Sequence, residues 1–196
     1  MLRITSGSLR GRKIQAPKGQ NTRPTSEKVR EGVFNVLANL CPLQGVVAAD
    51  LFAGSGALGI EALSRGAEHV TFVEFHAKTA ALIRSNLTSV ELPRHQWQVE
   101  STQVVNWLRK LESPNSPTLI FADPPYAGPH ALETLQAIAR SKVLTEGVLV
   151  VLETDRRNRP EIPDGLELLR AKSYGDTEVL YCRKTLINVQ AEGETQ

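Results

Sequence analysis

From residue 45 onward, short apolar runs alternate with longer stretches whose apolar residues recur every three or four positions. The runs at about 46–52, 69–74, 96–99, 117–122 and 147–153 predict strands, and the stretches at about 57–66, 76–89, 101–111 and 129–141 predict helices. Such alternation implies an α/β fold, a mostly parallel sheet covered by helices on both faces. The order breaks near the end, where "LELLRAKSYGDTEVLYCRK" gives two β-rich runs around "YGD" and predicts a closing antiparallel hairpin. Near the start, Val29, Val33, Val36, Leu37 and Leu40 follow helical spacing, with Thr25 or Ser26 as N-cap. Before them "LRITSGSLRGRKIQA" alternates around a Gly-Ser-rich centre and reads as a small β-hairpin. We expect a hairpin extension over 1–24, one α/β domain over 25–186 and a frayed polar tail over 187–196.

Composition narrows the class. With 196 residues, 41% apolar and 22% charged, the chain suits one globular domain with a proper core. No apolar run approaches the ~18 residues that a membrane span needs, and "MLRITSGSLRGRK" contains no apolar signal region. Cys41 and Cys182 lie far apart, and His69, His76, His95 and His130 show no ligand spacing. A reduced, cytoplasmic, monomeric protein without a metal is expected. The net charge of +2 hides an asymmetry: residues 1–40 carry +6, leaving −4 on the remainder. A basic terminal segment on a mildly acidic body suggests a polyanionic partner.

"AADLFAGSGALGIEA" places Gly54, Gly56 and Gly59 as G-x-G-x-x-G where a strand turns into a helix, so that backbone can approach a ligand at the helix N-terminus. Further on, "VTFVE" ends in Glu74, where a second strand sets a carboxylate against a ribose diol. Asp50 discriminates between nucleoside cofactors. An acid just before the glycines repels a pyrophosphate but suits S-adenosylmethionine, which carries an ammonium and a sulfonium and no phosphate.

"FADPPYA" follows the apolar run Thr118 to Ala122 with an acid, two prolines and a tyrosine. Asp123 and Pro124 each precede a proline and are pushed toward extended geometry, while Pro124 and Pro125 have no N–H. The segment therefore offers acceptors beside an aromatic ring, as a flat amine-bearing nucleobase requires. A strand stopped by a turn is the plainer reading of the same segment.

"DLFAGSGALGIEALSRGA" together with "DPPY" resembles the amino-methylating S-adenosylmethionine-dependent methyltransferases, with their Rossmann-like, seven-stranded fold. The start "RITSGSLRGRKI", the segment "TRPTSEKVREGVFNVL" and "YGDT" near the end are similar, more narrowly, to the bacterial 16S rRNA (guanine(966)-N(2))-methyltransferase family. The likeness runs from residue 2 to about 184. It implies methyl transfer to the N2 amine of a guanine in 16S rRNA, within an assembling or assembled small subunit. Asp50, Phe52, Ala53, Gly54, Gly56, Glu74, Phe75 and Asp123 then bind the cofactor, Glu74 through the ribose. Asp123, Pro124, Pro125 and Tyr126 receive the target base. Relatives carry an acid or Asn after the third strand to meet the adenine amine; here Gln103 stands there with Glu100 nearby, and the Val104 N–H is the alternative contact. Arg3, Arg10, Arg12, Lys13, Arg23 and Arg30 are assigned to the RNA, with Arg156, Arg157 and Arg159 as the alternative surface. A DNA adenine methyltransferase shares the site chemistry but usually needs a recognition insert. A nicotinamide oxidoreductase leaves "DPPY" unexplained, and a non-catalytic RNA-binding module accounts only for the hairpin.

Overall fold

The computed structural model describes residues 1–17, 24–112, 116–126 and 128–186, with backbone alone for 24–26. Strands β1 (Leu2–Arg3) and β2 (Lys13–Ile14) pair antiparallel. Helix α1 (Pro24–Leu40) follows, and then strands and helices alternate: β3 (Val47–Leu51), α2 (Ala57–Ser64), β4 (His69–Val73), α3 (Ala77–Ser89), β5 (Trp97–Glu100), α4 (Val104–Lys110), β6 (Leu119–Ala122), α5 (His130–Arg140) and β7 (Leu149–Asp155). Strands β8 (Leu166–Tyr174) and β9 (Thr177–Lys184) form the antiparallel close. The seven-stranded sheet runs β5-β4-β3-β6-β7-β9-β8, parallel from β5 to β7. Chain order reverses between β3 and β6, and a crevice opens beyond strand C-termini at such a reversal.

Two-residue alternation along the strands builds two cores. Ala48, Val70, Phe72, Leu119, Phe121 and Val151 pack with the layer formed by α1, α2 and α3. Ala49, Leu51, Val73, Ile120, Val150 and Leu152 face α4 and α5.

Two expected boundaries shift. The first helix starts at Pro24, a residue suited to a first turn because its missing N–H would lack a helical partner. Thr25 and Ser26 therefore lie inside the helix, and their side chains are outside the described residues. The stretch expected to be helical from 101 becomes helical only at Val104, with Gln103 extended at φ −69° and ψ 141°.

The N-terminal hairpin is fastened to the body. Leu2, Ile4 and Ile14 join the same apolar cluster as Val33, Phe34 and Leu37. Glu61, fully buried on α2, accepts the Thr5 N–H at 2.9 Å, the Thr5 hydroxyl at 2.7 Å and the Ser6 N–H at 2.9 Å. Arg65 and Arg30 neutralise it at 2.9 and 3.4 Å. Gly7, at φ +81°, passes so close to α2 that an added Cβ would fall 1.8 Å from the Ser64 carbonyl, so only glycine fits. The expected tail, 187–196, lies outside the described residues.

Candidate active site

Four parallel strands deliver a carboxylate at or just beyond their C-terminal ends: Asp50 from β3, Glu74 after β4, Asp123 after β6 and Glu153 from β7. Three of them line a cavity of about 1040 Å³ whose walls include Phe52, Gly54, Glu74, Phe75, Gln103, Val104, Asp123, Pro124, Pro125, Tyr126 and Glu153. Among the described residues no group of three or more His, Cys, Asp or Glu is placed to hold a metal.

The glycine loop and Glu74 form one unit. The Glu74 carboxylate accepts the Gly54 N–H at 3.1 Å and the His76 N–H at 2.8 Å, which fixes the ends of two strands against each other. Gly54 has φ +56°, and an added Cβ would find only the Phe52 carbonyl at 3.8 Å, so the loop presents bare backbone to the cavity. Asn86, buried on α3, supports the loop by donating to the Ser55 carbonyl at 2.9 Å while exchanging two bonds with the Gln15 backbone. This draws the chain leaving the hairpin toward the pocket, where Pro17 joins the wall.

Asp50 lies behind that wall. It is 2% exposed, its carboxylate accepts the Gly59 N–H at 2.9 Å, and burial, reinforced by the negative charge of Glu74, pushes it up to about 7. Ala53 and Gly56 also stand behind the lining residues. Of the expected cofactor set, Phe52, Gly54, Glu74, Phe75, Gln103, Val104 and Asp123 therefore reach the cavity, and Asp50, Ala53 and Gly56 shape it from behind. Gln103 caps α4 without a side-chain cap bond, so the first turn of α4, Val104 included, meets the pocket with its N–H groups uncapped by that side chain. Glu100 contributes its carbonyl to the Glu74 N–H and its side chain is absent from the wall.

Asp123 lines the pocket and is exposed to solvent. Desolvation, then the charges of Glu153 and Asp50, raise its carboxyl well above the usual carboxylate range. Among the described residues no group donates a hydrogen bond to it. Glu153 is itself raised by burial. Its Oε1 accepts the Tyr126 hydroxyl at 3.2 Å, and that hydroxyl also meets Thr177 Oγ1 at 3.0 Å. Tyr126 thus stands with its polar end tied to the β7 and β9 edge and its ring 43% exposed.

Glu153, Thr79, His130 and Thr134 are pocket residues that sequence reasoning missed. A signal existed for Glu153: "VLETD" ends a predicted parallel strand, and carboxylates at such ends face the crevice. For the rest no pattern pointed to the pocket.

The basic residues divide. Arg3, Arg10, Arg12 and Lys13 are exposed along the hairpin, Arg12 within 2.6 Å of the exposed Glu91. Arg30 corrects the expectation: it is 4% exposed, pairs with Glu61 and donates to the Arg3 carbonyl, so it supports the hairpin from inside. Charge counting does not register such packing. Arg23 is outside the described residues. Arg156, Arg157 and Arg159 are exposed just beyond β7, with Arg157 held by Asp155 at 2.8 Å and Arg159 3.7 Å from Glu178.

Comparison with known proteins agrees with this architecture. The family described as conserved hypothetical protein 95 matches residues 2–183. "Putative rRNA methyltransferase YlbH" of Bacillus subtilis is 38% identical over 93% of this chain and 99% of its own length. "Ribosomal RNA small subunit methyltransferase D" of Escherichia coli is 32% identical over 99% of this chain and 93% of its own. The solved structure "Putative methyltransferase yhhF" from Escherichia coli superposes with a TM-score of 0.79 at 30% identity, covering 93% of this chain and 97% of that one. By the extent of these matches, the chain belongs to the conserved hypothetical protein 95 family and is similar over nearly its whole length to small-subunit rRNA methyltransferases D.

Proposed function

We propose that this protein transfers a methyl group from S-adenosylmethionine to the exocyclic N2 amine of a guanine in 16S rRNA, the guanine(966) of the family name. It does so as a cytoplasmic monomer acting on the small ribosomal subunit. The observation that carries the reading is the Asp123 carboxylate, which receives no hydrogen bond among the described residues, beside the N–H-less Pro124 and Pro125 in an acidic pocket.

The cavity fits the cofactor. Glu74, Asp123 and Glu153 on the wall, with Asp50 behind it, suit a ligand with two positive centres and no phosphate; Glu74 is the acceptor for a ribose diol, and the bare Gly54 backbone lets a ligand lie close. When bound, S-adenosylmethionine supplies an electrophilic methyl group. The chain's own residues prepare the amine. A guanine amine is a poor nucleophile because its lone pair is delocalised into the ring. The Asp123 carboxylate and the Pro124 carbonyl each accept one N–H, which draws the nitrogen toward a tetrahedral arrangement. Positioning and fixed dipoles supply the acceleration, without a covalent enzyme intermediate. Asp123, already raised in proton affinity, is also placed to receive the proton that the methylated amine must lose. The Tyr126 ring stacks on a base withdrawn from its neighbours. Arg3, Arg10, Arg12 and Lys13 meet phosphates.

Calorimetry with S-adenosylmethionine, followed by methyl transfer to small-subunit rRNA and to duplex DNA, tests the reading. Binding with transfer to RNA alone is expected. Transfer to DNA adenine, or no cofactor binding, would overturn it.

A further inference from the structure

Resting on the reading of the pocket as an amine-methylating site, we infer that Glu153 selects guanine among the bases by accepting the ring N1–H beside the target amine. Ala122 of β6 pairs with Leu152 of β7, so Asp123 leaves the sheet directly beside Glu153. One strand spacing, about 4.8 Å, separates such neighbours. Both side chains reach the same cavity as the Tyr126 ring. The Glu153 carboxylate is prevented from swinging away because its Oε1 holds the Tyr126 hydroxyl at 3.2 Å. Among the described residues its other oxygen receives no hydrogen bond, and it is free to accept one from a ligand.

The chemistry of the bases makes this oxygen discriminating. In guanine the exocyclic amine has an N1–H donor next to it on the pairing edge. In adenine the neighbour is an unprotonated N1, and in cytosine an unprotonated N3. Each of those presents a lone pair. With the amine engaged by Asp123 and Pro124, the neighbouring ring atom faces Glu153. Guanine adds a charge-assisted hydrogen bond there, whereas adenine and cytosine set a lone pair against a carboxylate. Selection is then attractive for one base and repulsive for the others. Glu153 is a specificity residue distinct from the Asp123 and Pro124 pair that prepares the nucleophile.

The test uses small-subunit rRNA carrying either guanine or 2-aminopurine at the target nucleotide, since 2-aminopurine keeps the amine but has no N1–H. Wild-type protein should favour guanine by about 10–100-fold in kcat/KM, the scale of one hydrogen bond to a charged group. In Glu153→Gln the amide can donate to an unprotonated N1, and the ratio should fall to within about threefold, reading the loss as an enzyme–substrate coupling. Tyr126→Phe removes the anchoring bond but leaves the carboxylate; its rates should fall while the preference for guanine persists. If Glu153 served only to anchor Tyr126, the two variants would slow both substrates alike and leave the ratio unchanged, which overturns the inference. So does a wild-type ratio near one, a result that needs no variant to fold. Wild-type protein inactive on both RNAs would refute the proposed function instead.

Discussion

Asp123 and Glu153 stand side by side on the pocket wall, Asp123 raised by desolvation of its carboxyl and by its neighbour's charge, Glu153 by burial. Acceptors for an amine must be ionised, so kcat/KM should climb with pH through the raised carboxylate range and then level off. Neutralising Glu153 removes a charge that raises Asp123, so the Glu153→Gln inflection should move to lower pH. An unmoved inflection in a pH–rate profile would show that the two groups do not interact. Asp123→Ala should lower turnover by about 10²–10³, the scale for loss of one oriented hydrogen-bonding group, with little change in cofactor affinity by calorimetry. Glu74→Ala should weaken S-adenosylmethionine binding by roughly 1.5–3 kcal/mol, since the ribose contact and the anchor of Gly54 go together. Asp123, Glu74 and the glycines were legible in the sequence because each sits within a short segment whose order fixes its place. Glu153 was not, because its meaning depends on a strand register that joins it to Asp123 and to Tyr126, 27 residues earlier in the chain.

At the scale of elements, the hairpin shows what sequence gives and withholds. Its β pairing followed from alternation and glycine-rich turn chemistry. Its attachment did not, because Glu61 meets Thr5 and Ser6 across 56 and 55 residues of chain. Its neighbour Arg30 had been counted as surface charge. The buried Arg30–Glu61 pair, with the partly exposed Arg65, explains how a four-residue ladder is held in place. Glu61→Ala removes the counter-charge of the buried Arg30, leaving it only the Arg3 carbonyl, and should cost about 3–5 kcal/mol of unfolding free energy in denaturant titration. The exposed charges have a different signature. If Arg10, Arg12 and Lys13 meet phosphates, replacing all three with Ala should flatten the slope of log RNA affinity against log salt by about 2, with S-adenosylmethionine affinity intact. An unaltered slope would move the RNA surface to Arg156, Arg157 and Arg159, which leave the sheet on the pocket side.

Across the whole molecule, charge and topology divide the labour. The hairpin is basic and the crevice at the reversal between β3 and β6 is acidic, a division that suits a polyanionic substrate and a cationic cofactor. That crevice has a stability consequence. Asp50 is raised from 3.8 to about 7 in the folded chain, so the fold binds its proton more tightly than the unfolded chain does. The cofactor-free protein therefore loses stability as pH rises from about 4 to 7 and has lost that contribution by pH 8. Asp50→Asn keeps an acceptor for the Gly59 N–H and removes the charge. It should raise cofactor-free stability at pH 8 by about 2–4 kcal/mol in denaturant titration, while weakening cofactor binding. The alternation of strands and helices was readable along the chain, since its period is local. The convergence of four acids from four strands required the sheet order, which no single segment encodes.

Methyl transfer to a guanine amine in small-subunit rRNA leaves a trace in the RNA itself. Its most direct measurement is a map of methylated nucleotides, by mass spectrometry of 16S rRNA from cells with and without this protein. Loss of a single N2-methylguanosine, at the guanine(966) of the family name, and its return on incubating that rRNA or its particle with purified protein and S-adenosylmethionine, is the predicted result. An unchanged 16S map, or loss of a methylated adenine or cytosine instead, would contradict it.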